Sequence, residues 1–155
     1  MWRRSDLSIA LGTLLVSTLY LPLVVTGFAM VASARRAFNP GSKDSVYSPS
    51  FQRATAWFLL ALALLEGITG FGAGPQTSTF VSEVTFGLLN RGNSLQLHIV
   101  LIGPLTFFFI LHSTSGVGSM LLRRGVKSWY VYEVVIPAVM LGLYGVALYL
   151  YSLLI

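Results

Sequence analysis

The sequence predicts an all-α integral membrane protein: a four-helix bundle forming one membrane domain over residues 1–155. Three observations predict it. Of the 155 residues, 55% are hydrophobic and only 10% are charged, whereas a soluble domain carries about a quarter of its residues as Asp, Glu, Lys and Arg. The mean hydropathy is +0.76. The few charges are also clustered between four long apolar stretches, each able to supply the roughly 20 residues that cross the hydrocarbon. A spanning segment must satisfy its own backbone hydrogen bonds, so these stretches are read as helices. The same arithmetic excludes disorder, collagen, coiled coil and a secreted disulfide scaffold. With no cysteine in the chain, disulfides, iron–sulfur ligation and Cys-type zinc sites are excluded too.

The first span is about 7–31, within residues 7–34, which hold no charge. Ala32-Ser33-Ala34 resembles a signal-peptidase site, but the apolar stretch before it is too long for an ordinary signal peptide, so an uncleaved helix is expected. Arg35, Arg36, Asn39-Pro40-Gly41-Ser42 and Ser48-Pro49 then read as a polar loop. The second span, about 55–73, lies in a stretch whose only charge is Glu66. The third, about 95–121, has no ionisable residue except His98 and His112. The fourth is about 130–153. Pro22, Pro104 and Pro137 fall inside spans and are expected to mark kinks. Trp2, Trp57, Trp129 and Tyr130 sit near span ends, where amphipathic rings favour the headgroup layer.

Loop charge sets the orientation. Arg35, Arg36, Lys43, Arg53, Arg123, Arg124 and Lys127 lie on one side, against Arg3, Arg4 and Arg91 on the other. The positive-inside rule then places both termini outside the cytoplasm, in a multi-pass protein of the cell membrane. The net charge of +5 comes from these loop residues. No basic stripe is interleaved with aromatics, so no nucleic-acid partner is expected.

Ionisable groups within a membrane helix are expensive and are functional by default. His98 and His112 are 14 residues apart, about 21 Å along a helix axis and about 40° short of whole turns. They share one face at two depths. That suits two b-type haems, each needing an axial nitrogen from either side. It also leaves room for structural or proton-relay histidines, or for other metals. Zinc is disfavoured, because its ligands must converge within a few ångströms. Gly116, one turn after His112, would let a macrocycle press against the backbone; its alternative is helix–helix packing. Glu66 suggests a proton relay or a quinone contact, or else a hydrogen-bonded packing residue. Glu133, Tyr130 and Tyr132 could line a quinone pocket or anchor the interface. Gly70, Gly72 and Gly74 fall outside the strand–turn–helix context of a dinucleotide fingerprint and read as a flexible exit.

These residues also fit a family pattern. Ala56-Trp57-Phe58-Leu59-Leu60 to Ile68-Thr69-Gly70, then Glu83-Val84-Thr85-Phe86-Gly87 and Arg91, occur in order. They are followed by His98 and His112 with Phe107-Phe108-Phe109-Ile110 between them, His112-Ser113-Thr114-Ser115-Gly116, and Trp129. Over about residues 54–150 the chain resembles the amino-terminal helices of cytochrome b from quinol-oxidising complexes of the bc type. The resemblance implies that His98 and His112 are axial ligands of an outer-side and an inner-side haem, and that Arg91 pairs with a haem propionate. The family has two residues between that arginine and its first histidine; this chain has six. The helix bearing the family's second histidine pair and its Pro-Glu-Trp-Tyr quinol motif are absent. Opposing ligands would therefore come from a second copy or another membrane subunit, a two-fold dimer being the simplest arrangement.

His112-Ser113-Thr114-Ser115-Gly116-Val117, Met120-Leu121 and Gly125 also resemble the haem-bearing helix of succinate dehydrogenase and fumarate reductase membrane anchors. That resemblance implies one haem and leaves His98 without a role. The expected function is thus a b-type cytochrome subunit of a respiratory complex. Itself non-catalytic, it carries electrons across the membrane to or from quinone. The alternatives are a single-haem anchor and a haem-free structural subunit.

Overall fold

The computed structural model describes residues 37–153. The first predicted span, with Trp2, Pro22 and the orientation charges Arg3, Arg4, Arg35 and Arg36, lies outside the described residues. Among those described, all regular structure is helical: α1 (Pro49–Ala73), α2 (Ser78–Val84), α3 (Arg91–Arg123) and α4 (Ile136–Ser152), the last entered through one π-helical turn at Val131–Val135. Three segments are long and apolar enough to cross a membrane: Pro49–Ala73, Arg91–Arg123 and Val131–Ser152. These correspond to the second, third and fourth predicted spans.

Local chemistry sets the helix ends, and it moves two of them away from the hydropathy limits. Ser48 and Pro49, read from the sequence as loop, begin α1. The Ser48 hydroxyl accepts from the Phe51 N–H at 3.3 Å, and proline at the first helical position has no N–H to leave unsatisfied. At the head of α3, Asn90 Oδ1 accepts from the Gly92 and Asn93 N–H groups at 3.0 and 3.1 Å. Asn93 Oδ1 returns the favour to the Asn90 N–H at 2.8 Å. This reciprocal box starts the helix four residues before the apolar run.

The end of α3 is a left-handed cap on Gly125 (φ +83°). The Gly125 N–H reaches the Leu122 carbonyl at 3.0 Å and the Val126 N–H reaches that of Leu121 at 3.1 Å, satisfying the last carbonyls. The unpredicted α2 has only seven residues, too few for a periodic signal. It closes the same way, with Phe86 N–H to Glu83 O at 3.1 Å and Gly87 N–H to Ser82 O at 2.7 Å.

The prolines act differently from one another. Pro104 lies inside a continuous 33-residue α3, about 50 Å long. Pro137 lacks the N–H that would bond the Glu133 carbonyl, and its ring crowds that oxygen. The π-helical turn at Val131–Val135 immediately precedes it, a wider turn that accommodates the mismatch.

Among the described residues the chain divides into two compact units, 60–105 and 37–59 with 106–153. In the second unit a core forms from Phe38, Val46, Tyr47, Phe107, Ile110, Leu111, Tyr132, Ile136, Met140 and Tyr144. Phe107 and Tyr144 stack with centroids 5.4 Å apart, a pairing worth about 0.5–1.5 kcal/mol beyond area burial. The loop before α1 is pinned to this core. The Tyr47 hydroxyl donates to the Tyr132 carbonyl at 2.7 Å, and the Ser119 hydroxyl donates to the Tyr47 carbonyl at 2.7 Å. Gly118 lies under the Tyr47 ring, where a Cβ would collide with it.

The first unit buries small and polar groups instead: Thr69, Gly72 and Ser94, with Val81. Leu64, Leu65, Ile68, Phe71, Leu95 and Leu97 face outward. So many exposed large apolar side chains are unfavourable in water and suit a solvent of acyl chains.

Candidate cofactor site

Within the first unit, His98 projects from α3 against the end of α1. Its Nδ1 lies 3.2 Å from the Glu66 backbone oxygen, 3.2 Å from Glu66 Oε1 and 3.5 Å from Thr69 Oγ1. Gly70 makes the approach possible, since a Cβ there would stand 3.1 Å from His98 Cε1. The second unit repeats the arrangement. His112 Nδ1 lies 2.9 Å from Oγ1 of Thr55, a buried residue of α1.

These partners decide the tautomer. A threonine hydroxyl has one hydrogen, and inside a helix it commonly returns that hydrogen to a carbonyl one turn back. Thr55 Oγ1 donates to the Phe51 or Gln52 carbonyl, at 3.0 and 3.2 Å. Thr69 Oγ1 donates likewise to Leu65 or Glu66, at 2.9 and 3.1 Å. What faces each imidazole is thus a lone pair, joined at His98 by a backbone carbonyl that can only accept. With the hydroxyl hydrogens so committed, both rings make these bonds by carrying a proton on Nδ1. In the neutral ring Nε2 is then the nitrogen that presents its lone pair. Neither Nε2 has a hydrogen-bond partner among the described residues. Fixing one ring nitrogen by a hydrogen bond so that the other presents its lone pair is how proteins prepare imidazole as a metal ligand.

No protein-family model matches the chain, and no curated protein or solved structure is significantly similar to it.

The other expected site residues fall in varied places. Gly116 faces the Gln52 carboxamide oxygen, which a Cβ would meet at an ordinary 3.4 Å. Gln52 itself is held by the Ser115 hydroxyl at 2.6 Å. Arg91 is exposed at the start of α3. Tyr132 is fully buried and its hydroxyl donates to the Val126 carbonyl at 2.6 Å, so its polar atom faces the protein interior. Glu133 is half-buried in the π-helical turn, and Tyr130 is exposed beside Trp129. Gly70 and Gly72, read as a flexible exit, belong to α1 as close-approach positions: Gly70 against His98, and Gly72 against Ser94.

Sequence reasoning missed Thr55 and Thr69. The signal was present: they are 14 residues apart on α1, the same interval that separates His98 from His112. Among the described residues no three His, Asp or Glu side chains converge. Each histidine therefore offers a single ligand to whatever it binds.

Proposed function

We propose that this chain is a haem-binding membrane subunit of b-type cytochrome character, with His98 and His112 each giving one axial nitrogen and opposing ligands coming from a second copy or another subunit. The observation that supports the reading is the matched pair of imidazoles. Both are engaged through Nδ1, both leave Nε2 without a partner among the described residues, and they lie fourteen residues apart on one continuous helix. A histidine that only bonded helices together would need no such duplication.

The donor set suits this cofactor. A porphyrin brings its own equatorial nitrogens, so one imidazole per face is enough, whereas a metal held by protein alone would need several converging ligands. Haem would supply the one-electron couple, exchanging electrons with quinol or quinone and a partner protein. The chain's part is to hold the nitrogens, fix their tautomer and surround them with apolar side chains. A single-haem anchor would use His112 alone; the equivalent arrangement at His98 favours two sites. The loop charges orient His98 toward the outer side of the cell membrane and His112 toward the cytoplasm.

The test is a dithionite-reduced minus oxidised spectrum of the protein purified with its partners in mild detergent, with pyridine-haemochrome quantitation. A b-type α band is expected, with His98→Leu and His112→Leu each removing one component and leaving the other. Loss of all haem on His112→Leu with none lost on His98→Leu would replace the reading by the single-haem anchor. No Soret band in the intact complex would refute it.

A further inference from the structure

The two histidines differ in one respect that bears on their chemistry. His112 Nδ1 meets a neutral hydroxyl, Thr55 Oγ1. His98 Nδ1 bonds the Glu66 backbone carbonyl at 3.2 Å and has the carboxyl oxygen Oε1 of the same residue beside it, also at 3.2 Å. Glu66 is a costly residue to keep in an apolar helix, and its other contacts do not account for it. Oε2 is buried and has no hydrogen-bond partner among the described residues. The imidazole is the polar group the carboxyl meets.

We infer that Glu66 is a positioning residue for His98 that strengthens its Nε2 as a ligand and lowers the reduction potential of the iron bound there, leaving the His112 site unaffected. The inference rests on the haem reading above. The Glu66 backbone carbonyl accepts the Nδ1–H, and a carboxyl oxygen beside that N–H draws electron density onto the imidazole and raises its basicity at Nε2. A stronger axial donor stabilises oxidised iron over reduced iron, and negative charge nearby acts in the same direction. The Thr55 hydroxyl beside His112 Nδ1 polarises its ring more weakly than a carboxyl does. The two sites of one helix thereby acquire different electronic character from residues on α1, not from the ligands themselves.

The decisive variant is Glu66→Gln, which keeps the shape of the side chain and a hydrogen-bond acceptor but removes the carboxyl. Spectroelectrochemical titration of the purified holoprotein should show unchanged haem content and an upward shift of one midpoint only. The shifted component should be the one that His98→Leu abolishes. Both midpoints unmoved, with haem content intact, would overturn the inference while the haem reading stood. Absence of haem from the wild-type protein would instead sink the haem reading itself.

Should Glu66→Gln fail to assemble, the wild-type ligand field answers the same question. Near-infrared magnetic circular dichroism of oxidised His112→Leu and His98→Leu proteins isolates each site. The charge-transfer band of the His98 site should lie at shorter wavelength, as a more imidazolate-like donor requires. Coincident bands would overturn the inference.

Discussion

Replacing Thr55 by valine removes the one acceptor that His112 Nδ1 has among the described residues and preserves the shape of the side chain. Thr55 is 4% exposed and its Oγ1 lies 2.9 Å from the ring, so the valine methyl would leave the N–H without a partner. Such a loss costs about 1–3 kcal/mol. With about 1.4 kcal/mol to each factor of ten, if His112 ligates haem as proposed, haem affinity at that site should fall roughly 5- to 150-fold. The same substitution at Thr69 provides the control. Its Oγ1 lies 3.5 Å from His98 Nδ1, at the limit of hydrogen bonding, and two Glu66 oxygens at 3.2 Å remain. Thr69→Val should therefore change affinity by no more than about twofold. The assay is transfer of haem from detergent-solubilised protein to excess apomyoglobin, followed at the Soret band. Equal losses in the two variants, or none in either, would refute the argument that Nδ1 engagement holds these rings as ligands.

Other outcomes follow from the packing. A Cβ at Gly72 would collide with the Ser94 side chain, so Gly72→Ala should lower thermal stability in detergent by about 1–3 kcal/mol. Gly116→Ala meets only the flexible Gln52 carboxamide at 3.4 Å and should leave it within about 0.5 kcal/mol; both are read from unfolding curves. Burial first, then the nearby Tyr132 and Glu133, holds the ionisation of Tyr47 well above the ordinary tyrosine range. Because the fold favours the neutral hydroxyl that donates to the Tyr132 carbonyl, this contribution is complete below about pH 10 and is lost as pH rises further. Tyr47→Phe should remove that alkaline dependence and cost about 0.5–1.5 kcal/mol at pH 7. A variant whose alkaline unfolding matched the wild type would show that the latch does not matter.

Composition and the spacing of charges were enough to read a helical chain with spans near 55–73, 95–121 and 130–153, because apolar length and self-satisfied backbone are requirements each segment meets alone. The two histidines were legible for the same reason: an ionisable group in an uncharged stretch stands out without any neighbour being known. Helix ends were less legible, since Ser48 and Asn90 act through side-chain hydrogen bonds and Gly125 through a left-handed backbone, none of which hydropathy registers. What only the tertiary structure decided is which nitrogen of each imidazole is occupied. That depends on Thr55, Glu66, Thr69 and Gly70 of α1 arriving opposite His98 and His112 of α3, a pairing between segments tens of residues apart. A threonine in the sequence is only a small polar residue. Its role as an acceptor arises when its hydrogen has gone to its own helix and a ring from another helix stands at its lone pair.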